Sequence, residues 1–311
     1  MVNSISKKIA VLVFVFFCLS IAGGNAADDK KQLKKRVAVF SFDDKSSHNY
    51  HWWTGQPVGE GMADMLVTAL VKTGKYQVME RQEMNKVLEE QNLGQSGIVT
   101  QETAAQVGKM LGVELAIFGS VTEFGYSEGS TGGRLNNMGF GVGIKSSKAT
   151  VGIDIRFVNT TTGEILKAES IRKENSKKGV SLDTDKFNFE NQSQFDESIV
   201  GKATRDAINE IVTFCDGVVE NIPWQAKIVT VSPKIIINSG ALGGVNIGDE
   251  LVVIRAGEEL VDPDTGLSLG TTEAEIGRIK VTNNNIGNGK ASECVAISGT
   301  GFARNDMVRM K

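Results

Sequence analysis

Apolar positions recur along this chain with two periods, and the balance between them changes at Pro223-Trp224. Before that point strand-like and helix-like segments alternate. Arg36-Val37-Ala38-Val39-Phe40 is a short apolar strand run, followed by a loop from Ser41 to about Gln56. Met62, Met65, Leu66, Ala69 and Leu70 then recur at helical spacing and predict an amphipathic helix, which Gly74 ends. Tyr76 to Met79 reads as a second strand. Met84, Val87, Leu88 and Gln91 mark a more polar helix. Thr100 can cap a third, with Ala104, Val107 and Leu111 on one face and Gly112 after its end. Leu115 to Val121 is a buried strand. Ala149, Val151, Ile153, Ile155 and Phe157 alternate strictly and lead through Thr160-Thr161-Thr162-Gly163 into Glu164 to Ser170, a hairpin. Its link needs a residue that tolerates positive φ, so Gly163 is expected to be structural. A long helix from about Glu197 to Val218 carries one apolar stripe, Val200, Ala203, Ala207, Ile211 and Cys215.

Beyond Pro223-Trp224 the pattern turns to short β runs: Lys227 to Val231, Lys234 to Ile237, Glu250 to Ile254, Ile276 to Val281 and Ala291 to Ile297. Gly243 to Asp249 and Asp262-Pro263-Asp264-Thr265-Gly266 supply turn chemistry between them. The expected fold class is therefore α+β: an α/β layered domain over 27–222 with β-hairpin insertions at 123–148 and 177–198, then a small all-β domain over 223–311.

Residues 1–26 have the form of a secretory signal. Lys7 and Lys8 make the charged region, Ile9 to Ile21 an almost unbroken apolar run, and Gly24-Asn25-Ala26 a small-residue cleavage site. The apolar run falls short of the ~20 residues a spanning helix needs. Removing these residues takes away two lysines and no acid, which moves the net charge from -3 to -5. That balance argues against general nucleic-acid binding, which needs a basic footprint. Cys215 and Cys294 remain. An exported pair can form a disulfide, but one lies on a helix face and the other in a later β run, so separate buried thiols are expected.

Three segments in order, Met65-Leu66-Val67-Thr68-Ala69-Leu70, Glu80-Arg81-Gln82 and Arg156-Phe157-Val158-Asn159-Thr160-Thr161-Thr162-Gly163-Glu164-Ile165-Leu166, resemble the curli secretion channel family (CsgG/HfaB). The resemblance runs from about Arg36 to Val219. It implies a non-enzymatic, cofactor-free factor at the periplasm or outer membrane of a diderm bacterium. It further implies a ring-forming homo-oligomer that passes or scaffolds exported surface or fibre proteins, with periplasmic accessory factors as further partners. The tail departs from that family and is similar to the C-terminal β domain of the flagellar assembly protein T family. Family members are often lipoproteins, whereas Cys18 follows Val15-Phe16-Phe17 within the apolar run and lacks that setting. A soluble periplasmic adaptor with the same first domain is the competing reading.

Several segments carry candidate chemistry. In the family the first insertion is a transmembrane hairpin, which here points to Met138, Phe140, Val142 and Ile144 with the return strand Ala149, Val151, Ile153 and Ile155. A barrel strand needs alternating apolar residues over ~9–11 positions, and the Gly/Ser-rich stretch supplies only part of that. In the second insertion Phe187, Phe189 and Phe195 alternate, but Asn191 and Ser193 interrupt them, so mobile soluble loops stay open as the alternative. The loop His48 to Trp53 holds both histidines. By the resemblance Asn49, Tyr50, His51, Trp52 and Trp53 are candidates for a pore constriction, and packed aromatics are the other reading. Gly139-Phe140-Gly141-Val142-Gly143 lacks the following helix that a phosphate cradle needs. Asp262 to Gly266 has only two carboxylates, short of a calcium loop. No metal ligand set is expected.

If residues 1–26 are a cleaved signal, N-terminal sequencing of the exported protein should begin at Ala27. A start at Met1, or a lipid on Cys18, would contradict that expectation.

Overall fold

In the computed structural model the described residues are 33–46, 56–79, 112–134, 141–178, 192–261, 263 and 268–311. The expected helices around Met84 and Thr100, the signal segment and the loop from His48 to Trp53 lie outside them. So does most of the second insertion.

The first sheet runs β3 (Tyr76–Met79), β1 (Lys35–Val39), β4 (Leu115–Arg134), β5 (Gly141–Asn159), β6 (Ile165–Lys178), with the two-residue β2 (Asp43–Asp44) also on β4. β1 pairs in parallel with β3 and β4, and β4, β5 and β6 are antiparallel. β1 is apolar on both sides because both its faces are covered. Val37 and Val39 enter the main core with Leu115 and Ile117, while Ala38 joins Phe40, Ala116, Phe118 and Val158 on the other face. Phe40 and Phe118 stack there, centroids 4.4 Å apart.

Helices α1 (Val58–Thr73) and α3 (Ile199–Val219) cover the main core. Gly74 closes α1 at φ 69°, its N–H donating to the Val71 carbonyl. α2 (Gln192–Glu197) is one short helix before α3, and Ser198 caps α3 by accepting from the Gly201 N–H at 2.9 Å. The stripe Val200, Ala203, Ala207, Ile211 and Cys215 is fully buried, as its spacing required. Phe195, read from sequence as part of a second hairpin, instead sits on α2 with its ring in the core. Three residues separate it from the Ser198 cap, and Gly201 has no side chain because a Cβ there would lie 1.8 Å from the Phe195 carbonyl oxygen.

β4 and β5 pair from Leu115↔Asn159 to Arg134↔Gly141 with one register shift between Val121 and Glu123, much further than the alternation suggested. The inner half is core. Ala149, Val151, Ile153 and Ile155 are at most 1% exposed against the helices. This corrects their assignment to a lipid-facing hairpin: alternation shows that one face is apolar, and here α3 and α1 cover that face. Val142 and Ile144 fall on β5, and their side chains lie outside what the structure describes. Met138 and Phe140 lie outside the described residues.

The link from β5 to β6 is tight. Asn159 Oδ1 accepts from the Thr161 N–H at 2.8 Å, and the Gly163 N–H donates to the Asn159 carbonyl at 2.8 Å. Gly163 stands at φ 75°.

Residues 225–311 close into an antiparallel barrel in the order β10 (Ser268–Ile286), β11 (Ala291–Gly299), β8 (Ile235–Ile237), β7 (Gln225–Thr230), β12 (Met307–Met310), β9 (Glu250–Val261). Closure leaves no edge around the inner girdle, where Ile228, Ile237, Leu251, Val253, Ile279 and Val308 fill the interior. The sequence reading missed β12, whose four residues are too short to show a period. Cys215 and Cys294 are both free and buried, and burial pushes each thiol up to about 12.

Glu114 joins the two sheets. It is 2% exposed, and its two carboxylate oxygens accept N–H bonds from different sheets: Arg36 of β1 at 2.8 Å and Gln225 of β7 at 3.0 Å. The Arg36 guanidinium reaches across to the Gln225 and Asn238 carbonyls, and the Lys34 N–H donates to the Gly243 carbonyl at 3.0 Å. Burial pushes the Glu114 carboxyl up, with the two N–H donors, Arg36 and Lys35 opposing that push.

Gly163→Val should destabilise the protein by about 1–3 kcal/mol, the cost of forcing a β-branched residue to positive φ. Chemical denaturation reads this directly, and an unchanged midpoint would show that the turn has another solution.

Candidate functional site

The base of the aromatic loop is built from both of its flanks. Leaving β1, the chain runs alongside β4: Asp43 pairs with Ser120, Asp44 with Val121, and the Lys45 N–H donates to the Val121 carbonyl at 2.9 Å. Asp44 Oδ1 then accepts from the Ser46 N–H at 3.0 Å, folding the backbone into a short turn with Ser46 buried. The chain is described again at Gln56. Pro57 follows, with φ -50° fixed by its ring, and α1 begins at Val58.

Phe42 holds these two flanks together. A Cβ on Gly59 would lie 2.0 Å from the Phe42 carbonyl oxygen, and a Cβ on Gly119 would lie 2.7 Å from its ring. Phe42 is 4% exposed, wedged between the first turn of α1 and strand β4. Both glycines are therefore packing positions, used for close approach rather than for an unusual backbone angle. Asn49, Tyr50, His51, Trp52 and Trp53 lie outside the described residues. The structure does define where their loop begins and ends.

Beside that exit point lies a groove of about 450 Å³ between α1 and α3. Met65 and Ala69 of α1 face Ile208 and Val212 of α3, with Phe195 at one end. Its rim is polar and carries both signs. Gln56 donates to Asp64 Oδ2 at 2.8 Å, the Arg205 guanidinium pairs with Asp196, and Lys72 stands further along. Such a groove offers apolar contact and hydrogen bonds to an extended or helical segment. At the far end of α3, Asp216 accepts from the Tyr76 hydroxyl and from Lys75 at 2.7 Å, and burial pushes the Tyr76 hydroxyl well up. These bonds tie β3 to α3 and leave Asp216 committed to structure.

Sequence reasoning missed the groove, because each helix was read alone and the groove exists only between them. It also missed the ladder on the open face of β4–β6. There Arg172 bonds Glu123 at 2.9 Å and also Glu174, and Lys148 pairs with Glu174 at 2.9 Å. Among the described residues, no helix is long and apolar enough to cross a membrane, which says nothing of a strand-built barrel.

The family model of the curli production assembly/transport component CsgG matches residues 23–232. The chain belongs to that family. Its role lies in secretion or assembly at the outer envelope, and the family is one of transport and assembly rather than of enzymes. The match ends before β8, so most of the barrel lies beyond it. No curated protein matches the chain at a significant level. Among solved structures, a hypothetical protein CT253 from Chlamydia trachomatis aligns at 15% identity and TM-score 0.42, over 60% of this chain and 99% of that one. The LpoB C-terminal domain from Salmonella enterica aligns at 13% and 0.31, over 45% and 83%. A PelC dodecamer from Paraburkholderia phytofirmans aligns at 9% and 0.29, over 58% and 87%. At these scores the likenesses carry no argument about function.

Gly59→Ala should lever the start of α1 away from Phe42. The expected cost is roughly 1–3 kcal/mol, in the range of other overpacked sites, with faster hydrogen exchange in the first turn of α1. A melting curve identical to that of the original protein would show that the contact is not a constraint.

Proposed function

We propose that this protein assembles as a homo-oligomeric ring at the outer envelope and passes or scaffolds exported surface-protein subunits. The match of residues 23–232 to a family of curli production assembly/transport components carries this reading. The geometry supports it in two ways. Among the described residues the β4–β5 hairpin, 20 and 19 residues long, continues beyond Ser146, the last position of β5 with a described β6 partner, Lys178. A two-stranded ribbon of that kind is marginal alone and gains stability by pairing with a neighbour. The two flanks of the aromatic loop, at Ser46 and Gln56, are held by Phe42 and β4, and a ring would repeat those flanks once per subunit. In this reading Asn49, Tyr50, His51, Trp52 and Trp53 narrow the central opening.

The hairpin's root favours a second reading, a periplasmic ring or adaptor that does not span lipid. Lys148, Arg172, Glu123 and Glu174 form their ion-pair ladder there, and such a ladder has no place against hydrocarbon. Only the part beyond Lys148 is free to enter a bilayer, and Ser146 and Ser147 begin it.

Negative-stain images of the mature protein in detergent should show closed rings, and a strict monomer in both buffer and detergent would count against the assembly. In planar bilayers, a pore should conduct more after Tyr50, Trp52 and Trp53 are together replaced by Ala. Intact rings with no conductance in the unaltered protein would favour the adaptor.

A further inference from the structure

Two surfaces of this chain carry opposite charge and lack a strand partner among the described residues. One is the outer part of the β9–β10 hairpin. β12 pairs with β9 only over Leu251 to Ile254, so from Arg255 onward β9 has β10 alone beside it among the described residues. Between Ala256 and Glu275 the sequence carries six acids and no base, four of the acids within the two strands. Glu258 is exposed on this arm, with Leu260, two residues on, 47% exposed, and Glu275 is exposed at the arm's root opposite Ile254. The other surface is β6, which pairs with β5 alone among the described residues. From Ile165 to Lys178 it carries five bases and two acids. Lys167, Arg172 and Lys173 are engaged by Glu169, by Glu123 and Glu174, and by Glu210 respectively. Lys177 and Lys178, at its end, are exposed and have no ion pair among the described residues.

The charges of each surface are answered only locally. At the root of the arm Glu273 pairs with Arg309 of β12 and Glu275 with Arg278 of β10, while the bases of β6 pair within the sheet or with α3. No described strand pairing joins the arm to β6 of the same chain. The excess charge left on each has no partner among the described residues of one copy. The two surfaces differ from each other, so a contact between them is head-to-tail, the type that closes a ring when the rotation is right.

We propose that the acidic β9–β10 arm of one copy docks on the basic β6 edge of a second copy. The inference rests on the ring reading above and adds the contact that sets its subunit order. Exposed β-edges are kept apart in solution by like charge, and here each edge is charged against copies of itself and complementary to the other. Every subunit repeats the contact, so weak, screened pairs act many times over.

The test uses the full mature chain and measures subunit association by sedimentation at low and at physiological salt. Two variants reverse one side each: Glu258→Lys with Glu275→Lys, and Lys177→Glu with Lys178→Glu. Each should weaken association about tenfold or more at low salt, and combining all four substitutions should restore it. Melting curves check folding, with Glu258→Gln and Glu275→Gln as the milder pair, expected to weaken association in the same direction. Association unchanged by either reversal overturns the docking while leaving the ring standing. Weakening by both reversals without rescue in the fourfold variant also overturns the pairing. A protein that is monomeric at every salt concentration removes the ring and the docking together.

Discussion

The carboxylate of Glu114 is the constraint on which the rest of the structure depends. It ends the approach to β4, the strand that continues into the long hairpin, and it satisfies one backbone N–H in each of two sheets. A buried acid is costly unless hydrogen-bonded. Here the cost is offset by two N–H donors and by the field of Arg36 and Lys35, and its folded-state proton affinity still ends above the ordinary value. Because that value is raised, the folded chain holds the proton more tightly than the unfolded one. The stability Glu114 contributes is thus greatest at low pH and falls as pH rises through the raised value. The positions of barrel, sheet and hairpin root all pass through this group and the Arg36 side chain beside it.

From that joint the functional geometry follows in steps. β4 is fixed at its start. β2 is laid along it at Ser120 and Val121, and Phe42 wedges the incoming chain against α1. The aromatic loop and the interhelix groove are therefore both referenced to one strand. A ring of the kind proposed would have to present loops, edges and hairpins to neighbours at repeatable angles. A subunit whose barrel and sheet are bonded through a buried acid meets that need better than two parts on a free linker.

Much of this was legible in the residues. The 3.6-residue stripes of α1 and α3 and the short buried run of β1 state both element and face, because each meets one covered side or two. The barrel strands announced themselves by short β runs between turn residues. What was not legible has physical causes. The alternation at Ala149 to Ile155 reports an apolar face and is silent on whether a helix or lipid covers it. The outer half of β4 is rich in Gly, Ser and Thr and carries no apolar period, and that of β5 carries only the brief alternation of Val142 and Ile144, so their full strand length came only from pairing. Phe195 was drawn into a strand pattern by two earlier phenylalanines, though the Ser198 cap places a helix start just after it. Glu114, one acid ahead of an apolar run, reads as a solvated flank. Its role arises only because Gln225 is brought back to it from 111 residues away.

The most direct measurement is hydrogen exchange at the backbone amides of Arg36 and Gln225 in Glu114→Ala beside the original protein. If the buried carboxylate joins the two sheets, both amides lose protection together. Each N–H left without an acceptor should cost about 1–3 kcal/mol, so the unfolding free energy should fall by at least ~2 kcal/mol. Protection retained at both amides, with stability unchanged, would contradict the account: the sheets would then be held by other contacts, and Glu114 would be only a buried neighbour.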